Sequence, residues 1–292
     1  MNKNIKFLFC ICTRNRQKRL SKTIDSIVKL DVSSKISIEI LIVENEKNPI
    51  LKKKFLKLNN VKVINEKKIG ISNARNRCLK EAKNMTFDYL VFIDDDCTID
   101  KRWVKENLNF LEKYDYDVIT GPHISKNNYY LNTIERKNKH NSKLRWASTN
   151  NVLIKKKILK NEKIQFNKDI QNYGGEDQLF FWKLSKKGYK IGWNSKSKVY
   201  EKSLSDRINF SWFLKRSFGY GCSSFHIYRE IFQNYAYLFL IIKIFYDIIL
   251  FLYFLIILPI SPKKFFLKKT HHLIRAIGCI SSTFFNYSLK RY

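Results

Sequence analysis

The sequence predicts an α/β fold with a mostly parallel central sheet, followed by C-terminal hydrophobic helices. Three observations predict it. Short, β-prone apolar runs alternate with stretches of helical spacing through residues 5–120. Polar clusters close three of those runs, at Thr13-Arg14-Asn15, Glu44-Asn45 and Asp94-Asp95-Asp96. An apolar run at residues 235–260 is long enough to span a bilayer.

The elements follow in order. "IKFLFCICT", residues 5–13, is short, apolar and β-prone, and reads as a buried strand. Leu20, Ile24, Ile27 and Val28 then recur at helical spacing. "SIEILIVENE" is a second buried strand ending in acid, and "VKVINEK" a shorter third. "GISNARNRCLKEA" opens on glycine and places Ala74, Cys78 and Ala82 on one helix face. "DYLVFIDDDC" is a fourth strand, "KRWVKENLNFLEKY" a helix and "YDVITGP" a fifth strand. Parallel α/β sheets bind ligands at the carboxyl ends of their strands, where the three polar clusters fall.

Composition sets the bounds. At 45% hydrophobic and 15% aromatic the 292-residue chain is not of a disordered composition. Its net charge of +31 favours anionic partners. Lys, Asn and Ile are abundant even in ordinary loops, and the basic residues are scattered without a recognition motif, so nucleic acid is not the expected partner. The six cysteines form no CxxC pair and read as buried free thiols. The N-terminal apolar run is too short for a secretory signal, which together with the thiols places this part in a reducing, cytosolic compartment.

From residue 126 to 232 the pattern is irregular, without internal repeat or Pro/Ser-rich linker. Beyond it, "YAYLFLIIKIFYDIILFLYFLIILPI" carries Lys243 and Asp247 four apart, on one helical face where they can pair. Basic residues flank the run on both sides, so the positive-inside rule gives no orientation. A single span, a re-entrant hairpin and a helix in the interface all stay open.

Three adjacent carboxylates at the end of "YLVFI" repel one another unless something compensates them. Strand alternation turns Asp94 and Asp96 the same way and Asp95 the other. Two convergent carboxylates suit Mg²⁺ or Mn²⁺, which can also hold a diphosphate. The ordered set "FCICTRNR", "ILIVENE", "GISNARNRCL", "FIDDDC" and "GGEDQLFFWKL" resembles glycosyltransferase family 2, the large inverting group with the GT-A fold, over residues 5–220.

That resemblance implies a GT-A fold and a set of roles. Thr13 and Glu44 would contact the nucleoside, Glu44 its base; Arg14 is counted with the donor-binding residues, and Arg75 would sit near the diphosphate and the acidic motif. Asp94 would meet the ribose or the metal and Asp96 the metal directly. Asp95, counted on the donor side with them, is the most replaceable of the three. Asp177 would be the general base and Glu176 its assistant or an acceptor ligand. Many members carry a metal-binding His in a V-x-H pattern after the ED motif; here "KVYEKS" places Glu201 there, as the candidate third ligand. Lys215 and Arg216 would hold the leaving diphosphate or a lipid phosphate. Asn150 and Asn151 fall where the family places acceptor-side residues, whereas Trp103 and Trp193 read as core.

The implied organisation is a catalytic domain at 1–232, with a nucleotide-sugar part at 1–125 and an acceptor part at 126–232, and a membrane-associated region at 233–292. The implied activity moves a sugar from a nucleotide-diphosphate sugar to a lipid-linked saccharide, with a divalent cation, at the cytoplasmic face of the membrane. An inactive membrane scaffold and another metal-dependent nucleotidyl- or phosphotransferase are the alternatives.

Overall fold

A computed structural model describes residues 4–51, 55, 58–134, 137–170, 174–201, 208–257, 259 and 262–285. Residues 202–207 and the basic terminus 289–292, both within stretches discussed above, lie outside the described residues. The chain divides into two compact units. The first comprises 1–124, 137–168 and 180–201; the second comprises 125–136, 169–179 and 202–292. The sequence-based boundary at 232/233 falls inside the second unit.

The first unit is built on an eight-stranded sheet ordered β3-β2-β1-β4-β9-β6-β10-β8. Its strands are β1 Ile5–Thr13, β2 Ile36–Glu44, β3 Val61–Asn65, β4 Tyr89–Asp94, β6 Val118–Thr120, β8 Ser142–Leu144, β9 Asn151–Lys155 and β10 Ile191–Trp193. Pairs β3–β2, β2–β1, β1–β4 and β6–β10 are parallel, while β9 runs antiparallel between β4 and β6, and β8 antiparallel on β10. The mostly parallel sheet is therefore present, and β9 comes from the "ASTNNVLI" stretch, where no strand was expected. A second sheet orders β5 Cys97–Ile99, β11 Val199–Glu201 and β7 His123–Ser125.

Alternation along the strands divides the core in two. Leu8, Cys10, Leu41, Val43, Leu90 and Phe92 face helix α2 Ile71–Ala82 through Ala74, Cys78 and Leu79. Phe7, Phe9, Ile11, Ile40, Ile42, Val91 and Ile93 face α1 Gln17–Val28 and α3 Trp103–Lys113 through Leu20, Ile24, Trp103 and Phe110. All six cysteines are free; Cys12 Sγ lies 3.7 Å from Cys78 Sγ, a thiol contact rather than a bond. Trp103 and Trp193 are buried, as core residues.

The remaining helices are α4 Tyr129–Ile134, α5 Lys156–Asn161, α6 Glu176–Lys186, α7 Phe210–Phe232, α8 Ala236–Ile256 and α9 Pro262–Phe285. In the second unit, α9 packs against both α7 and α8. A Cβ on Gly221 of α7 would lie 2.2 Å from the Arg275 carbonyl oxygen, and one on Gly278 of α9 would lie 2.3 Å from the Phe218 carbonyl oxygen. The two backbones meet only because both positions are glycine. The helical run Phe210–Ile256 is long and apolar enough, by length and composition, to cross a membrane.

Candidate active site

The first unit gathers its acids at the carboxyl ends of β1, β2 and β4. β4 ends at Asp94, and Asp95-Asp96 form a tight turn into β5. The alternation expected along "DDD" therefore stops at Asp94. Instead, Asp95 accepts from Thr13 Oγ1 at 2.6 Å and from Arg16 at 3.2 Å. Asp96 pairs with Arg19 at 3.3 Å and Arg16 at 3.8 Å. Arg16 bridges the second and third acids, while Asp94 has Arg75 at 4.0 Å. The expectation that Asp95 is the most replaceable acid is corrected: its side chain is 4% exposed, and it ties the β1 end to the β4 end.

Asp94 is the open member, with 44% of its side chain exposed. Desolvation by the protein packed around it raises its pKa to about 7. Arg75 opposes that rise, and the like charges of Asp96 and Asp95 add to it. Burial also raises Asp95, against the pull of Thr13 and Arg16. These carboxylates are thus only partly compensated by their arginines.

The "ARN" run of α2 divides its labour. Ala74 fills the core. Arg75 lies near Asp94 and over the Phe166 ring, 5.5 Å from its centroid. Asn76 pins the Phe166 backbone in both directions, donating at 2.9 Å and accepting at 2.8 Å. Phe166 in turn stacks on Phe180 at 4.1 Å, which fixes the platform under Arg75.

Glu44 is buried, and its two oxygens accept from the backbone N–H groups of Ile50 and Leu51 at 2.9 and 3.0 Å. Its side chain closes the loop after β2. Thr13, likewise buried, spends its hydroxyl on Asp95. Beside them, exposed Arg14 meets Glu46, and Asn45 is buried; Glu46 and Asn45 had no role assigned from the sequence. Glu46 accepts from Arg14 at 3.3 Å and Asn15 at 2.8 Å. The Lys47 N–H, then Arg14 and Asn15, hold Glu46 below the ordinary carboxylate range. Asn45 donates to the Glu66 and Lys68 carbonyls and accepts from Gly70 N–H at 2.8 Å, so it sets the loop that launches α2.

Glu201 is buried on β11, opposite Cys97 of β5, and pairs with His123 Nε2 at 3.1 Å. Where many family members carry the V-x-H imidazole this chain has Glu201, the candidate third metal ligand, and β7 brings the His123 imidazole beside it. His123 lay in a "GPH" turn that carried no signal. Among the described residues, no three His, Cys, Asp or Glu side chains group to hold a metal ion by themselves. Mg²⁺ commonly takes only one or two carboxylates together with substrate phosphates; Asp94, 44% exposed, has capacity for it, whereas Asp96, 9% exposed, is already paired with Arg19 and Arg16. Asn151 is buried and structural, accepting from Trp103 Nε1 at 2.9 Å and donating to the Ser197 carbonyl at 2.7 Å.

In the second unit, Gly174 and Gly175 have φ of 80° and 89°, the left-handed region that favours glycine, and they lead into α6. A Cβ on Gly175 would also press on Ile227 Cδ1 at 2.7 Å. Glu176 and Asp177 occupy the first turn of α6, where the helix dipole favours acids. Asp177 Oδ1 accepts from the Gln178 N–H at 2.7 Å. On α7, Lys215 is exposed, and Arg216 lies over the Tyr220 ring at 4.9 Å while donating to its hydroxyl at 3.1 Å.

Acids and arginines at the carboxyl ends of parallel strands define an α/β protein of the class that binds nucleotides at that edge. The model of the family described as glycosyl transferase family 2 matches residues 8–170, over half of the chain, and the chain belongs to that family. It is a glycosyltransferase, and the matched region includes the three acids but ends before Glu176, Asp177 and Glu201.

Among curated proteins, the chain is 25% identical over 227 residues to the succinoglycan biosynthesis protein ExoM of Rhizobium meliloti (strain 1021), covering 72% of this chain and 71% of that one. Among solved structures, S. aureus TarS 1–349 in complex with UDP-GlcNAc aligns with a TM-score of 0.57 at 19% identity, covering 78% of this chain and 67% of that chain. GalNAc-T7 with UDP, GalNAc and Mn²⁺ aligns with a TM-score of 0.56 at 14% identity, covering 70% and 45%. The chain thus spans about two thirds of TarS 1–349 and under half of GalNAc-T7, and at these identities the likeness is one of fold.

Proposed function

We propose that the protein is an inverting glycosyltransferase that moves a sugar from a nucleotide-diphosphate sugar to a hydroxyl of a lipid-linked saccharide, in cell-surface polysaccharide or glycolipid synthesis at the cytoplasmic face of the membrane. The observation that carries the reading is the under-compensated Asp94, beside Arg75 and Asp96, at the end of β4 in a family 2 chain. The UDP-sugar and UDP complexes among the solved relatives support a nucleotide-sugar donor.

Asp94 would hold a divalent cation, Mg²⁺ or Mn²⁺, with Asp96 joining it by exchanging its Arg16 and Arg19 contacts for the metal, and the cation's positive charge would offset the charge developing on the leaving diphosphate. Arg75 supports that diphosphate. Asp95, Thr13 and Glu44 act indirectly: they fix the strand ends from which the contacting groups project. Glu201, held by His123, orients the imidazole beside the β5 turn. Asp177 accepts the proton of the acceptor hydroxyl as its oxygen bonds to the anomeric carbon. The carbon–oxygen bond to the diphosphate breaks, its electron pair leaves with the nucleotide, and one displacement inverts the centre.

Screening UDP-sugars and other nucleotide sugars with Mn²⁺ tests the reading, with hydrolysis and transfer both measured. Asp177→Asn is expected to lower transfer about 10³-fold while nucleotide affinity is kept. Calorimetry with Mn²⁺ and a panel of nucleoside diphosphates (UDP, GDP, CDP, ADP and dTDP) that detects no binding to the unsubstituted chain would favour the inactive-scaffold alternative and overturn the proposal.

A further inference from the structure

The second unit holds a large apolar surface on α8. At 100° per residue, Leu238, Ile241, Ile242, Phe245, Ile249, Leu252 and Ile256 form one continuous stripe, and all are exposed. Asp247 lies directly opposite, fully buried, with Lys243 at 2.8 Å, Arg275 Nε at 2.9 Å and His272 at 3.1 Å. Phe254 stacks on Phe265, and Leu240 and Ile244 pack with Cys279, so α8 and α9 run antiparallel with this ion cluster between them.

The 21 residues of α8 are about 31 Å long, enough to cross a bilayer core. The polar groups sit in the wrong places for a crossing. Spanning helices carry their phenols at the two ends, at headgroup depth. Here Tyr246, 56% exposed, and Tyr253, 52% exposed, line one edge of the stripe, and Tyr237 lines the other. Tyr237 and Tyr253 lie near the two ends of the helix, whereas Tyr246 lies at its middle. Crossing would put the Tyr246 hydroxyl and the Asp247 cluster at mid-membrane depth. The face of α8 opposite the stripe packs through Leu240, Ile244 and Phe254 on α9, whose Lys268, Lys269, His272 and Arg275 set charge alongside the helix rather than only at its ends. The Lys268 ammonium lies over the Phe254 ring at 5.1 Å, on the α9-facing side of α8, and that of Lys269 over Phe266 at 5.3 Å, and the whole chain carries +31. A chain of that charge is drawn to anionic headgroups.

We propose that α8 lies in the plane of an anionic membrane surface, its Leu238–Ile256 stripe in the acyl chains and its tyrosine edges at the headgroups, and does not cross the bilayer. The proposal rests on the membrane location given above and adds its geometry. The test uses the full chain with vesicles of phosphatidylglycerol and phosphatidylcholine. Flotation is expected, lost more than about tenfold in Ile242→Asp and Ile249→Asp, whose circular dichroism stays unchanged because both positions are exposed. Spin labels on Leu238→Cys, Ile249→Cys and Ile256→Cys, read against the labelled unsubstituted chain, should report one shallow depth at all three. A depth profile that is deepest at position 249 and shallow at both ends overturns the in-plane geometry while leaving the membrane location standing. Failure to float, with the chain self-associating through the stripe, overturns both.

Discussion

Asp94 and Asp247 are both aspartates within apolar runs of sequence, one closing a strand and one in mid-helix, and the protein treats them in opposite ways. Asp247 is enclosed by Lys243, His272 and Arg275, with every partner within hydrogen-bond reach. Asp94 has one guanidinium at 4.0 Å and two like charges beside it. A saturated carboxylate locks helices together and has no capacity for a ligand. An under-compensated one leaves part of its electrostatic cost to be met by whatever binds there. Counting cations around each acid separates a structural charge from a receptive one.

The sharpest way to break the comparison is Asp247→Ala. It strands Lys243 and Arg275 and is expected to destabilise the second unit by about 3–5 kcal/mol, measured by denaturant melts in mild detergent. Replacing the cluster together, as Lys243→Met, Asp247→Leu and Arg275→Met, should return the stability to within about 1 kcal/mol of the parent or above it. If the single and triple variants melt alike, the ion cluster is not a lock.

A smaller effect is expected on the other side of the comparison. Thr13→Val removes the donor to buried Asp95 and should cost about 1.5–3 kcal/mol in the first unit, read as a lowered unfolding midpoint. Gly221→Ala should cost about 1–3 kcal/mol by forcing α7 and α9 apart, with the loss confined to the helical unit.

The smallest effect carries the most information about Asp94. Its pKa in the fold, about 7, lies above its ordinary value, so the fold favours the protonated acid. Its stabilising contribution is complete below about pH 4 and is lost as the pH rises through 7. In metal-free protein, Asp94→Asn should therefore melt increasingly above the parent between pH 5 and 8, a modest gain because so much of the side chain faces water. The same variant should lose the Mn²⁺-dependent nucleoside diphosphate binding of the parent in calorimetry. A parent chain whose relative stability does not change over that range would show that Asp94 is compensated after all.

Much of this was readable from the chain. Apolar periodicity located β1, β2, β3, β4 and β6 and helices α1 to α3, because each residue's face is set by its immediate neighbours. The same local rule paired Lys243 with Asp247, which lie one helical turn apart. It failed at "DDD", where a turn interrupts the alternation, and in "ASTNNVLI", where an antiparallel strand carries no distinctive period.

What only the tertiary structure decided is the partner of each charge. Asp95 meets Thr13 across 82 residues, Asp247 meets Arg275 across 28, and Glu201 meets a histidine from another strand. The sequence by itself determined the α/β alternation and the family, since apolar patterning and motif order are local and repeated many times over. Compensation of charge is decided at distances of 3–4 Å between segments that only folding brings together, so which acid is locked and which is open could be read only from the structure.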